Sequence, residues 1–182
     1  PGKTLKIVLA TGMTIKPGDP VQAGAAVLPV VSGGDARTWA GQAMIGASQA
    51  PAVALNNAHV QLWNPGMAPA VTKTVFCSKI IVTSGTTQWV TMSTTYLVAA
   101  TSLYAAGYSK RAAWSASQAQ CRYQNNVGLL TGQACGLFLL GAANELVLEF
   151  EEPIALAGNT GLILMAGTVN TDLAATFEWF ER

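Results

Sequence analysis

Seven consecutive residues late in this chain, Glu145-Leu-Val-Leu-Glu-Phe-Glu151, alternate strictly: Leu146, Leu148 and Phe150 share one side, and Glu145, Val147, Glu149 and Glu151 share the other. A repeat of two marks a strand with one dry face, because successive side chains point to opposite sides of the pleat. The rest of the chain uses the same grammar. Its apolar runs are short, rich in Val, Ile, Thr and aromatic residues, and broken by Gly, Pro, Asn or Ser-Gly. Strands are predicted at residues 5–10, 25–31, 60–63, 71–83, 88–92, 137–140, 145–151, 161–166 and 174–180, with breaks at 16–20, 32–35, 64–66 and 84–85. The expected fold class is all-β.

The last predicted strand alternates less cleanly. With Phe177 and Trp179 facing a core, Phe180 is left on the face that carries Glu178. Either a partner or a loop of the same chain must cover it. Residues 37–50 and 108–120 are Ala- and Gln-rich and tolerate helix, so their conformation is open from sequence. The second of these reads as an excursion that reaches a neighbour, and Lys110, Arg111 and Trp114 within it join Phe180 as interface candidates. Pro65, Gly66 and Pro69 mark a linker or wide turn. Two layouts follow: an N-terminal β module over 1–70 before a β-sandwich over 71–182, or one sandwich with a long N-terminal arm.

Charge is sparse and segregated. Only 10% of residues are charged, against about 25% in ordinary soluble domains. From Ala36 to Asn144 there is no Asp or Glu, while Arg37, Lys73, Lys79, Lys110, Arg111 and Arg122 lie in that stretch. The acids gather at the end: Glu145, Glu149, Glu151, Glu152, Asp172, Glu178 and Glu181. Such asymmetry suits contact between neighbouring copies, or simply pairing of the two sets within one subunit. The six cations are too dispersed for a nucleic-acid surface, so no direct nucleic-acid partner is expected. The densest apolar run, 135–143, falls short of the roughly 20 residues that span a bilayer, and no membrane partner is expected. No secretory signal opens the chain, and Pro1 is expected to follow a removed initiator Met.

Catalytic raw material is thin. The single histidine, His59, is flanked by Ala58 and Val60 and reads as a satisfied side chain near a strand start. No Gly-x-Ser-x-Gly turn occurs, and Pro1-Gly-Lys-Thr4 lacks the first glycine and preceding strand of a phosphate loop. Glu151 and Glu152 are adjacent, so a strand would point them apart. Cys77, Cys121 and Cys135 show no metal-ligand spacing and are expected as buried free thiols. The expectation is a non-enzymatic chain with no catalytic residue, no cofactor and no metal.

Two stretches resemble known structural proteins. The pattern 146–154, 157–165 and 174–181 resembles the last three strands of jelly-roll virion proteins of tailed bacteriophages. Ile15-Lys-Pro-Gly-Asp-Pro-Val21, Gly41-Gln-Ala-Met-Ile-Gly-Ala47 and Val60-Gln-Leu-Trp63 are similar in spacing to small β-barrel capsid decoration proteins. The resemblance implies a jelly-roll-like sandwich in the C-terminal part, and a decoration or cement protein on the outer capsid surface. It would form a dimer or trimer and bind the major capsid protein over subunit joints. Residues 95–136 do not map onto jelly-roll strands. The alternative reading is a receptor- or glycan-binding head-fibre or tail accessory protein, with Trp39, Trp63, Trp89 and Trp114 as stacking faces.

Overall fold

A computed structural model describes residues 42–65, 73–97, 99–110, 116–126 and 133–182. These form ten strands and no helix: β1 (Ala43–Ala50), β2 (Asn57–Asn64), β3 (Val75–Thr83), β4 (Gln88–Tyr96), β5 (Ser102–Ser109), β6 (Ala116–Asn126), β7 (Gln133–Leu140), β8 (Glu145–Leu156), β9 (Thr160–Val169) and β10 (Leu173–Glu181). The chain is all-β, as its alternation requires. Residues 37–41 and the two strands predicted before residue 32 lie outside the described residues.

All pairings are antiparallel, in the order β7-β4-β9-β2-β6-β5-β1-β10-β3-β8. Removing β5 and β6 leaves two sets of four, β1-β10-β3-β8 and β2-β9-β4-β7. That is the strand order of an eight-stranded jelly roll. The hairpin β5–β6 is an addition: β5 pairs with β1, β6 pairs with β2, and together they join the two sheets along one side. This explains why residues 95–136 defied mapping, since most of their described part is the added hairpin.

The boundary expected near residue 70 does not separate two sheets. β1 and β2 precede it, yet each pairs with strands that follow it. The sandwich therefore begins by residue 43 rather than 71. Residues 43–50, open between helix and strand from composition, are a strand because β10 and β5 supply its backbone partners.

The core lies between the two sheets. Leu62, Val90, Leu162 and Leu164 from one sheet meet Val75, Ile80, Val82 and Phe177 from the other. Trp179, 2% exposed, extends this core under the added hairpin. Its ring lies where a Cβ on Gly107 of β5 would sit, 2.0 Å from Cζ2, so only glycine fits there. Trp179 Nε1 donates to Ser117 Oγ on β6 at 3.2 Å. One aromatic side chain thus pins both hairpin strands.

β2 is buried on both faces. Its outward residues His59, Gln61 and Trp63 stand beside Met165, Ile163 and Gly161 of β9. The connector before β5 is tied onto this face: Ala100 N donates to Gln61 Oε1 (2.7 Å), Gln61 Nε2 donates to Thr95 Oγ1 (2.8 Å), and Arg122 Nε donates to Ala100 O (2.6 Å).

Candidate interaction surfaces

The segregated charges meet inside the subunit. Lys73 pairs with Glu181 at 3.5 Å, Lys79 with Glu149 at 2.9 Å, and Lys110 with Glu178. Each pair joins the basic middle to the acidic end. Arg122 spends its guanidinium on Ala100 O, Thr101 O and Gln120 Oε1. Of the six middle cations, Arg37 and Arg111 lie outside the described residues. The other four are committed within the chain. Glu149 raises the Lys79 pKa, first through its hydrogen bond and then through its charge.

The four interface candidates fare differently. Phe180 is covered within the chain, which corrects its reading as an intersubunit residue: its ring stacks on Phe76 of β3 with centroids 4.9 Å apart and planes at 7°. Arg182 lies over the same ring at 5.4 Å. Lys110 is exposed, but its ammonium is bound to Glu178. Arg111 and Trp114 lie outside the described residues.

His59 is fully buried near the start of β2, as the third residue of that strand. Burial lowers its pKa below the usual imidazole value, against the opposing effect of backbone hydrogen bonds at Asn57 and Gln124. All three cysteines are free. Burial pushes the Cys77 and Cys121 thiols up to about 12. Cys135 is exposed on β7, contrary to the expectation of three buried thiols, because it sits on the outward side of an edge strand. Trp63 is interior, Trp89 is 54% exposed, and Trp39 and Trp114 lie outside the described residues.

Two concavities mark the described surface. A pocket of about 140 Å³ opens where β5, which bonds to β1 only at Ile45 and Met44, splays away from it. Ser48, Gln49, Ile81, Thr83, Tyr104 and Thr176 line it. A wider one of about 520 Å³ lies at the end of the sandwich, lined by Thr94, Thr95, Tyr96, Gln133, Leu156 and Thr160. Both linings are hydroxyl, amide, aromatic and aliphatic. They are suited to neutral contacts rather than to proton transfer.

Most of the large exposed apolar side chains lie on or beside β4, β5 and β7, which composition alone did not locate. Tyr96, Leu97, Leu103, Tyr104 and Tyr108 belong to the end of β4 and to β5. Leu97 is 64% exposed with φ 56°, a left-handed conformation that glycine or asparagine adopts with less strain. The second group is Trp89 on β4 with Leu137 and Leu139 on β7, where Trp89 stands directly opposite Leu139. The alternation of β7 announces its outward leucines, but only the sheet order makes it an edge.

The chain matches no protein-family model, no curated protein and no solved structure. What is established is its class: an all-β sandwich of jelly-roll strand order with an added hairpin.

Proposed function

We propose that this is a non-enzymatic virion structural protein, a capsid decoration or cement protein that seats over joints between major capsid subunits and stabilises a phage head. The observation that carries this reading is the exposure of Leu103, Tyr104 and Tyr108 on β5, in a hairpin that the jelly roll does not need, together with that of Tyr96 and Leu97 where the chain leaves β4. Tyrosines with an apolar body and a wet hydroxyl are enriched at protein interfaces. Beside them, the neutral pocket rimmed by Tyr96 offers a seat for an uncharged feature of the partner.

Energetics favours many copies acting together. Each of these half-exposed side chains contributes roughly 1 kcal/mol on burial. The few that one docking face can bury give less than the cost of association, about 4–15 kcal/mol. Docking of one copy is therefore weak, and linked copies on a repetitive surface gain by effective concentration.

Co-sedimentation with undecorated heads bearing the cognate major capsid protein tests the reading. Saturable, stoichiometric binding is expected, lost in a Tyr96→Asp, Leu97→Asp variant that keeps its fold. Heads that leave the protein in the supernatant would remove the proposal. A second reading, glycan binding, draws on Tyr104 beside the hydroxyl-lined 140 Å³ pocket. A glycan array with Tyr104→Ala separates the two.

A further inference from the structure

The ten-stranded order has two ends, β7 and β8, and an end strand presents unpaired backbone N–H and C=O groups that template another strand. Soluble proteins suppress this with charge, proline or bulges on the edge. β8 has all three. Glu145, Glu149, Glu151 and Glu152 stand on it with Pro153, and residues 150–153 bulge against Ser78 of β3. β7, Gln133-Ala-Cys-Gly-Leu-Phe-Leu-Leu140, has no charge and no proline, and its one bulge, at Cys135 against Met92 and Ser93, lies before the two leucines.

We propose that β7 pairs antiparallel with β7 of a second copy across a two-fold axis, continuing the sheet between subunits and burying Leu137 and Leu139 of both. A two-fold pairing sets a strand against itself, so charges of one sign on that strand are gathered across the axis. Self-pairing of β8 would oppose glutamates, which is destabilising, whereas β7 opposes only neutral side chains. Alternation makes the fit two-sided. Leu137 (61% exposed) and Leu139 (57% exposed) would meet their counterparts on the outer face, backed by Trp89. Phe138, half-buried against the core on the inner face, would meet its own counterpart there. Among the described residues β7 pairs only with β4, on one of its two backbone edges.

This inference stands apart from the decoration reading, because it concerns self-association in the absence of any capsid. Light scattering on the full chain should give a concentration-dependent dimer. Leu139→Lys places like charges near the axis on an exposed position and should weaken the dimer at least tenfold, with the circular dichroism spectrum unchanged. Val147→Lys, at an exposed apolar position on β8, should leave it intact. Cys135 is the exposed one of the three thiols, so a spin label goes to β7 itself. Labels on two paired eight-residue strands lie within about 25 Å, given about 3.3 Å per residue, before allowing for the label arms. A monomer at the highest soluble concentration overturns the proposal. So does an open-ended ladder of masses, which is head-to-tail pairing of β7 with β8, or a dimer with distant labels, which uses another surface.

Discussion

β7 and β8 occupy equivalent positions at the two ends of one ten-stranded sheet, yet their sequences treat that position in opposite ways. The backbone offers the same unpaired groups at both. β8 surrounds them with four glutamates, a proline and a four-residue bulge, while β7, with a single-residue bulge at Cys135, leaves eight neutral residues with two outward leucines. The contrast teaches that sheet ends are made sociable or solitary by the residues placed on them. It also assigns a second duty to the acidic end of the chain. Glu149, Glu178 and Glu181 pair with cations of the middle, and Glu145, Glu151 and Glu152 keep one edge in water.

The largest effect that separates the edges concerns the core beneath them. Leu140 on β7 is 1% exposed, and Leu140→Ala should cost about 2–5 kcal/mol in urea unfolding. Leu148 on β8 is only half-buried, so Leu148→Ala should cost roughly half as much. Equal losses would mean that the two edges close the core alike. Next comes conversion of the guarded edge. Glu145→Thr, Glu149→Thr and Glu151→Thr together should let β8 associate, giving species beyond the dimer with affinity raised at least tenfold, roughly 1.4 kcal/mol. Unchanged masses by light scattering would leave the proline and the bulge as sufficient guards.

The smallest effect is acid sensitivity in the sheet that ends at β7. The unfolded His59 imidazole takes up a proton near the ordinary imidazole value of 6.5, and the folded one only at lower pH. Between the two the unfolded state holds more protons, so stability falls as pH drops below about 6.5, by no more than about 1.4 kcal/mol per pH unit. Thermal unfolding from pH 7.5 to 5.5 should show that slope, and His59→Gln should flatten it. An unaltered slope would place the sensitivity elsewhere.

Much of the fold was legible because alternation is local. The strands predicted at 60–63, 71–83, 88–92, 137–140, 145–151, 161–166 and 174–180 all fall on or overlap β2, β3, β4, β7, β8, β9 and β10. The site was less legible. Phe180 looked available because its neighbours in sequence gave it the polar face. Phe76, more than a hundred positions away, stacks on it. Residues 43–50, 102–109 and 116–126 gave no strand signal because small Ala, Ser and Gln side chains carry little periodic hydrophobicity. Long-range pairing and the Trp179 ring against Gly107 make them strands and hold them in place.

The sequence by itself determined the all-β class, the dry face of each well-patterned strand and the two complementary sets of charge, all properties of spacing along the chain. Tertiary structure decided which cation meets which acid, that the sandwich starts by residue 43, and that the bare strand β7 rather than a covered one stands at an edge. Those depend on strand order, which is set by burying both sheets' dry faces against each other and is written in no single segment.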